Sequence, residues 1–117
     1  MLRLDHVQLA IPEGAEDLCR PFYAGLLGMQ EVAKPPALAG RGGLWLERGS
    51  VRIHLEVEAD FRPARKAHPA VTVADLDALA RLLSEAGHKP AWDDAIPGVR
   101  RFYVEDPVGN RIEFMDG

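Results

Sequence analysis

The tripeptide Ile53-His54-Leu55 recurs in altered form as Ile112-Glu113-Phe114, 59 positions further along the chain. Each tripeptide places a potential metal ligand between two apolar residues, as expected of a strand whose two faces meet different surroundings. Gly28 and Gly87, which each follow a predicted helix, are separated by the same 59 positions. The spacing therefore predicts a chain built from one unit given twice.

The unit consists of one strand, one helix and three further strands. Alternating hydrophobicity predicts the first four strands at 3–11, 29–33, 43–48 and 51–58. The second four are predicted at 68–73, 89–93, 99–105 and 110–115. The helices are predicted over 15–27, where Pro21 either kinks the helix or begins its better-formed part, and over 76–86, capped by Asp75. The Pro- and Gly-rich stretches 34–43 and 93–99 are predicted to be irregular loops.

These elements predict an α+β fold in which two tandem βαβββ modules form a curved mixed sheet with a concave cleft. We predict a single domain over 1–117. Within it, module one covers 1–58, the linker covers 59–67 and module two covers 68–117.

Composition narrows the classes of function. A length of 117 residues with 47% hydrophobic and 27% charged residues suits one globular domain. The net charge of -4 argues against general nucleic-acid binding. No apolar run reaches membrane-spanning length, and Cys19 is the only cysteine, so we expect a cytoplasmic protein without disulfides. A basic cluster is either solvated or anchors an anionic substrate group; its members are Arg62, Arg65 and Lys66, with Arg100 and Arg101 later in the chain.

Four potential metal ligands stand at matching ends of the two units: His6, His54, His68 and Glu113. Strand alternation places all four on the face opposite the apolar residues that pack beneath the helices. Three imidazoles and a carboxylate suit Zn, Fe, Mn, Co or Ni, and two histidines with one carboxylate suit Fe(II) and oxygen chemistry. The alternative is that they are polar residues on the solvated face of an antiparallel sheet. Glu56 shares the face of His54 and could take its place.

Three stretches of the chain resemble the vicinal oxygen chelate superfamily, and together they cover essentially its whole length. They are Asp5-His6-Val7-Gln8-Leu9-Ala10-Ile11, Phe22-Tyr23-Ala24-Gly25-Leu26-Leu27-Gly28-Met29 and the segment from Tyr103 to Phe114 with Asp106-Pro107-Val108-Gly109-Asn110. The superfamily includes glyoxalase I, fosfomycin- and bleomycin-resistance proteins, extradiol dioxygenases and methylmalonyl-CoA epimerase. The resemblance implies paired βαβββ modules around a U-shaped metal cleft, often formed across a dimer, but it does not select a member.

The resemblance also assigns roles to particular residues. The superfamily's metal ligands fall on His6, His68 and Glu113, which implies a divalent metal, a small-molecule substrate and a homodimer. The position that holds a catalytic glutamate in glyoxalase I falls on His54, so glyoxalase I activity is not expected. Fosfomycin resistance is not expected either, because no basic segment follows Glu113.

Two main functions compete. The first is a small metalloenzyme whose metal binds two substrate oxygens as a Lewis acid, with lyase, isomerase, transferase and dioxygenase chemistry all open. In this hypothesis His54 or Glu56 is a fourth ligand or a general base. The expected substrate contacts are Tyr103, Arg101, Trp45 and Trp92, although core packing would equally explain the two tryptophans. The second is a metal-free drug-binding protein of the bleomycin-resistance type, and a regulatory ligand sensor is a third alternative.

Overall fold

The computed structural model describes all 117 residues and confirms the α+β class and the duplicated order of elements. The first module contains β1 (Val7–Ile11), α1 (Glu16–Arg20), a π-helical segment (Pro21–Leu26), β2 (Gln30–Val32), α2 (Pro36–Ala39), β3 (Leu44–Arg48) and β4 (Val51–Val57). The second module contains β5 (Ala70–Val73), α3 (Leu76–Glu85), β6 (Ala91–Asp93), β7 (Arg101–Glu105) and β8 (Arg111–Asp116). None of the helices combines the length and the apolar character that crossing a membrane requires.

Each module forms its own open, four-stranded mixed sheet, so the eight strands do not join into one continuous sheet. The strand orders are β1-β4-β3-β2 and β5-β8-β7-β6. The parallel pairs are β1 with β4 and β5 with β8, the strands that come first and last in each module. All other neighbouring strands are antiparallel. His54 lies opposite Trp45, and Glu113 lies opposite Tyr103. His54 and Glu113 therefore occupy the same place in two copies of one sheet.

Pro21 divides the helix that the sequence predicts as one element. Proline has no backbone N–H and its ring crowds the preceding turn, so an ordinary α-helix does not continue through it. Here α1 ends at Arg20, and the chain continues as a wider turn in which the Leu27 N–H donates to the Phe22 carbonyl at 2.9 Å. Gly28 then ends the segment with a φ of 65°. The result is that the neighbouring Phe22 and Tyr23 are both buried.

One hydrophobic core of 18 buried residues spans both modules. It contains the apolar side of the sheets, exemplified by Ile53 and Leu55 of β4 and by Ile112 and Phe114 of β8. Because strand side chains alternate, packing these residues inward turns His54 and Glu113 to the other face. The N-terminus of α3 is capped as predicted, since the Asp75 carboxylate accepts from the Ala78 N–H at 3.0 Å.

A buried polar network joins the two modules. The Tyr23 hydroxyl donates to Asp106 Oδ2 at 2.6 Å, and the Asn110 side-chain amide donates to the Ala10 carbonyl at 2.8 Å. Asn110 Oδ1 also accepts from the Ala64 N–H at 2.9 Å, which ties down the connection between the modules. We call these contacts the Tyr23–Asp106–Asn110 network. It holds the first sheet, the linker and the β7–β8 turn in one fixed arrangement.

Candidate functional site

His68 and Glu113 form the first half of the candidate site. His68 precedes β5 and Glu113 lies in the middle of β8, and the two side chains meet with Nε2 and Oε1 2.9 Å apart. The Glu113 side chain is only 6% exposed and that of His68 is 23% exposed. Arg101 donates from Nη1 to the other Glu113 oxygen at 3.3 Å, and Tyr103 meets the His68 ring edge-on at 5.3 Å. The structure thus brings four of the predicted site residues together on module two.

Hydrogen bonding determines which nitrogen of His68 is free. Nδ1 lies 2.8 Å from the Lys66 carbonyl oxygen, and a carbonyl can only accept, so Nδ1 carries a proton. In the neutral imidazole the lone pair of Nε2 then points at the Glu113 carboxylate. Two electron-rich atoms at 2.9 Å attract only when a second proton or a metal ion lies between them.

His6, His54 and Trp45 form the second half, as a stack of three rings on module one. The His6 and His54 centroids are 4.0 Å apart with 18° between the planes, and His54 and Trp45 are 3.8 Å apart with 3°. Burial, and after it the neighbouring His6, lowers the pKa of His54, so this environment favours the neutral imidazole. His6 Nδ1 lies 2.9 Å from Asp5 Oδ2, and this hydrogen bond lowers the pKa of Asp5.

The stack bears on whether His54 is a fourth ligand. An imidazole lone pair lies in the plane of its ring, and the planes of His6 and His54 are nearly parallel. In this arrangement the two rings do not direct their lone pairs at one point. Glu56 is occupied as well, because its oxygens accept from Lys34 Nζ at 3.0 and 2.8 Å and from Trp45 Nε1 at 3.2 Å. In this structure His54 is therefore part of the ring stack, and Glu56 supports the stack by accepting from Trp45.

The four predicted ligands consequently gather as two pairs and not as one cluster. No three His, Cys, Asp or Glu side chains of the chain are placed so that they could hold a metal ion together. Trp45 belongs to the stack, but Trp92 lies on the other face of its sheet, where it packs against Phe102 at 5.1 Å and beneath Arg100 at 5.0 Å.

Sequence reasoning did not anticipate the partners of the predicted residues. Asp5 is adjacent to His6, so the Asp-His dipeptide was a visible signal for this pairing. Arg111 lies with its guanidinium 3.8 Å from the centroid of the Tyr103 ring. Strand alternation places Arg111 on the face of Glu113, but nothing local to the sequence shows that it stacks on a tyrosine of the neighbouring strand.

The comparisons with known proteins identify the class. The sequence model of the Glyoxalase/Bleomycin resistance protein/Dioxygenase superfamily matches residues 3–114. The chain therefore belongs to this superfamily, the vicinal oxygen chelate proteins that its motifs resemble. No curated protein matches the chain in sequence.

Solved structures agree with this assignment. A glyoxalase family protein from Bacillus anthracis is 46% identical and superposes with a TM-score of 0.95, over 100% of this chain and 96% of that chain. The fosfomycin resistance protein FosX from Listeria monocytogenes is 13% identical, with a TM-score of 0.77 over 100% and 94%. An antibiotic binding protein from a Streptomyces species is 21% identical, with a TM-score of 0.73 over 99% and 98%. The last two likenesses show the shared fold alone.

Proposed function

We propose that the protein is a homodimeric, metal-dependent enzyme of the vicinal oxygen chelate type. In this proposal His68 and Glu113 of one subunit and His6 of the partner subunit hold a divalent metal ion, for which Zn, Fe, Mn, Co and Ni are the candidates. The substrate is a small molecule that chelates through two neighbouring oxygens. The observation that carries the proposal is the way in which both histidines are anchored.

Each of the two histidines has its Nδ1 engaged by a hydrogen-bond acceptor. For His6 the acceptor is the Asp5 carboxylate, and for His68 it is the Lys66 carbonyl. Histidines that bind metals almost always donate their second ring N–H to a carboxylate or a backbone carbonyl, which fixes the tautomer and the ring orientation. Both side chains therefore offer Nε2 as a preoriented ligand atom.

The separation of the donor atoms on module two also fits an ion. Metal–nitrogen and metal–oxygen bonds of about 2.1 Å place neighbouring ligand atoms on one ion about 3 Å apart. His68 Nε2 and Glu113 Oε1 are 2.9 Å apart. Arg101 holds the other oxygen of Glu113, so that Oε1 is the atom directed at His68.

Two observations support a second subunit as the source of the third ligand. The donor set within one chain stops at two residues. In addition, the chain has an accessible surface of 7466 Å², whereas a compact monomer of 12.9 kDa has about 6,300 Å². Its radius of gyration is 14.4 Å, against about 13.4 Å for a globular chain of this length. A flat molecule with excess accessible surface resembles one subunit of a dimer.

The chemistry follows from the donor set. A divalent ion with three protein ligands keeps positions open for substrate and supplies Lewis-acid stabilisation of negative charge on a bound oxygen. Around that position the chain provides the Tyr103 hydroxyl and the Arg101 guanidinium. Arg101 Nε is the only buried side-chain nitrogen or oxygen of the chain without a hydrogen-bond partner. A buried donor without an acceptor is costly, so Arg101 gains a bond if substrate binding opens Nε to a substrate oxygen.

The experiment measures metal content after purification and after reconstitution with each candidate ion. We expect one ion per subunit in the wild type and loss of that ion in His68→Ala and in His6→Ala, while His88→Ala serves as the matched histidine control. A mixture of His6→Ala and His68→Ala subunits, unfolded and refolded together, tests the dimer. A heterodimer then contains one intact site, so we expect about a quarter of the wild-type metal content to return.

Each outcome separates the hypotheses. No recovery in the mixture would show that one chain supplies all the ligands. A wild type that binds none of the ions at any stoichiometry would exclude the enzyme proposed here and favour the metal-free binding protein.

A further inference from the structure

A cavity of about 560 Å³ opens beside the candidate site, at the end of the second sheet. Its lining comes from the linker, from the turn after α3 and from the β7–β8 hairpin. Its charged and aromatic lining residues include Arg65, Lys89, Tyr103, Glu105, Asp106 and Arg111. We call this space the basic cavity.

The basic cavity carries unneutralised positive charge on a protein whose net charge is -4. Arg65, Lys89 and Arg111 take part in none of the ion pairs of the chain, which all involve other cations. Of the two carboxylates in the lining, Asp106 is turned inward to Tyr23 and Asn110. Within the lining only Glu105 remains to balance three cations, and Asp93, whose pKa Arg111 helps to lower, lies outside it, so the concavity attracts anions.

Arg111 is held in a position that suits anion binding. The central carbon of its guanidinium lies over the Tyr103 ring, 3.8 Å from the centroid, and Nη1 donates to the Arg65 carbonyl at 3.4 Å. Stacking on an aromatic ring restrains the guanidinium but leaves the N–H groups in its plane free. The free edge can therefore form the paired hydrogen bonds that carboxylates and phosphates accept.

Tyr103 connects the basic cavity to the candidate metal site. One side of its ring carries Arg111, and the edge-on contact with His68 lies 5.3 Å away. Tyr103 is thus the only side chain between Arg111 and a ligand that chelates, through two oxygens, a metal ion held by His68 and Glu113. We infer that the basic cavity binds an anionic group, a carboxylate or a phosphate, at the far end of the chelating substrate. The inference rests on the proposed function for the other end of that substrate.

The test uses metal-free protein, so that it does not depend on metal binding. Inorganic phosphate and acetate are titrated separately while backbone amide shifts are followed by NMR. We expect saturable shifts around the cavity for at least one anion, and the stronger of the two identifies the group. Arg111→Gln and the exposed Lys89→Gln should each weaken binding about tenfold, because each removes a charge-assisted partner. Arg81→Gln, an exposed arginine outside the cavity, is the matched control.

A second measurement links the two subsites. Cobalt-loaded protein is titrated with a hydroxamate that carries a carboxylate tail and with the corresponding amide. Tighter binding of the carboxylate, by about tenfold and only while Arg111 is present, supports one continuous substrate site. The inference is overturned if neither anion shifts the cavity amides, or if Arg81→Gln weakens binding as much as Arg111→Gln. Failure of metal loading alone would overturn the proposed function, whereas the anion titration of the metal-free protein could still be interpreted.

Discussion

Replacing Tyr23 with phenylalanine removes one buried hydroxyl and keeps the ring, so it perturbs the Tyr23–Asp106–Asn110 network without opening the core. The hydroxyl lies 2.6 Å from Asp106 Oδ2, which is the length of a hydrogen bond between a hydroxyl and a charged carboxylate. Tyr23 is completely buried and Asp106 is 4% exposed, so water does not replace the lost donor.

The expected loss in the free energy of unfolding depends on the hydrogen bonds that Asp106 keeps in the variant. A hydrogen bond to a charged group contributes about 1.5–3 kcal/mol to stability. In the variant, Asp106 still accepts from the N–H groups of Val108 and Asn110, at 3.0 and 2.8 Å. The carboxylate is thus not left without donors, and we expect a loss of about 2 kcal/mol in the free energy of unfolding. For a chain of this length that lowers Tm by about 8 °C.

The assay is urea unfolding followed by far-UV circular dichroism at pH 8 and at one protein concentration, because subunit association would add to stability. Tyr103→Phe is the control, and its cost should stay below about 0.5 kcal/mol. In an Asp106→Asn background the cost of Tyr23→Phe should fall to about 1 kcal/mol, because the bond becomes neutral. The reasoning is refuted if Tyr23→Phe costs no more than the control, or if its cost is unchanged by Asp106→Asn.

Three further predictions concern stability and reactivity. Gly43→Ala should destabilise the protein by more than about 3 kcal/mol in the same assay, because φ is +85° and the new Cβ would lie 2.1 Å from the Leu55 carbonyl oxygen. Gly14→Ala, with φ of +78° but open space around its Cβ, should cost about 1 kcal/mol, and an equal cost would contradict the steric argument. Burial raises the pKa of Cys19 to about 12, so a thiol reagent at pH 8 should label it only as the protein unfolds; rapid labelling of native protein would disprove this. Burial also raises the pKa of Asp106, so the folded state holds that proton more tightly than the unfolded state does. The stability advantage of the wild type over Asp106→Asn should therefore shrink as the pH rises from about 4 through the folded pKa, and a widening difference in urea titrations would contradict it.

Local patterns were sufficient to predict the eight strands and α3. The glycines that end the helical segments have positive φ, 65° at Gly28 and 91° at Gly87, as their positions indicated. Two details of the helical segments could not be predicted from the sequence and are seen only in the structure. The proline difficulty in the first helix did not reveal a π-helical continuation, and α2 lies inside the stretch predicted as a loop because four residues are too short for a helical period.

The candidate site was predictable only in part. Strand alternation placed His54 and Glu113 on matching faces, because that relation depends on each strand alone. Which ligands come together depends on how the two sheets are arranged, and long-range contacts decide this. Trp92 illustrates the limit. Its strand has three residues, too few to fix a face from their own pattern, and pairing with Phe102 turns the indole to the other side of the sheet from Tyr103.

The Tyr23–Asp106–Asn110 network also bears on how the native state forms and is lost. Tyr23 and Asp106 are 83 positions apart and Asn110 and Ala10 are 100 apart, whereas every strand pairing lies within one module. Closing such long loops before the modules exist is entropically unfavourable, so these bonds should form last on the folding pathway. Weakening them would then accelerate unfolding and leave the refolding rate nearly unchanged. The three stretches that resemble the superfamily, which this network joins, would thus govern the lifetime of the folded chain more than the speed at which it folds.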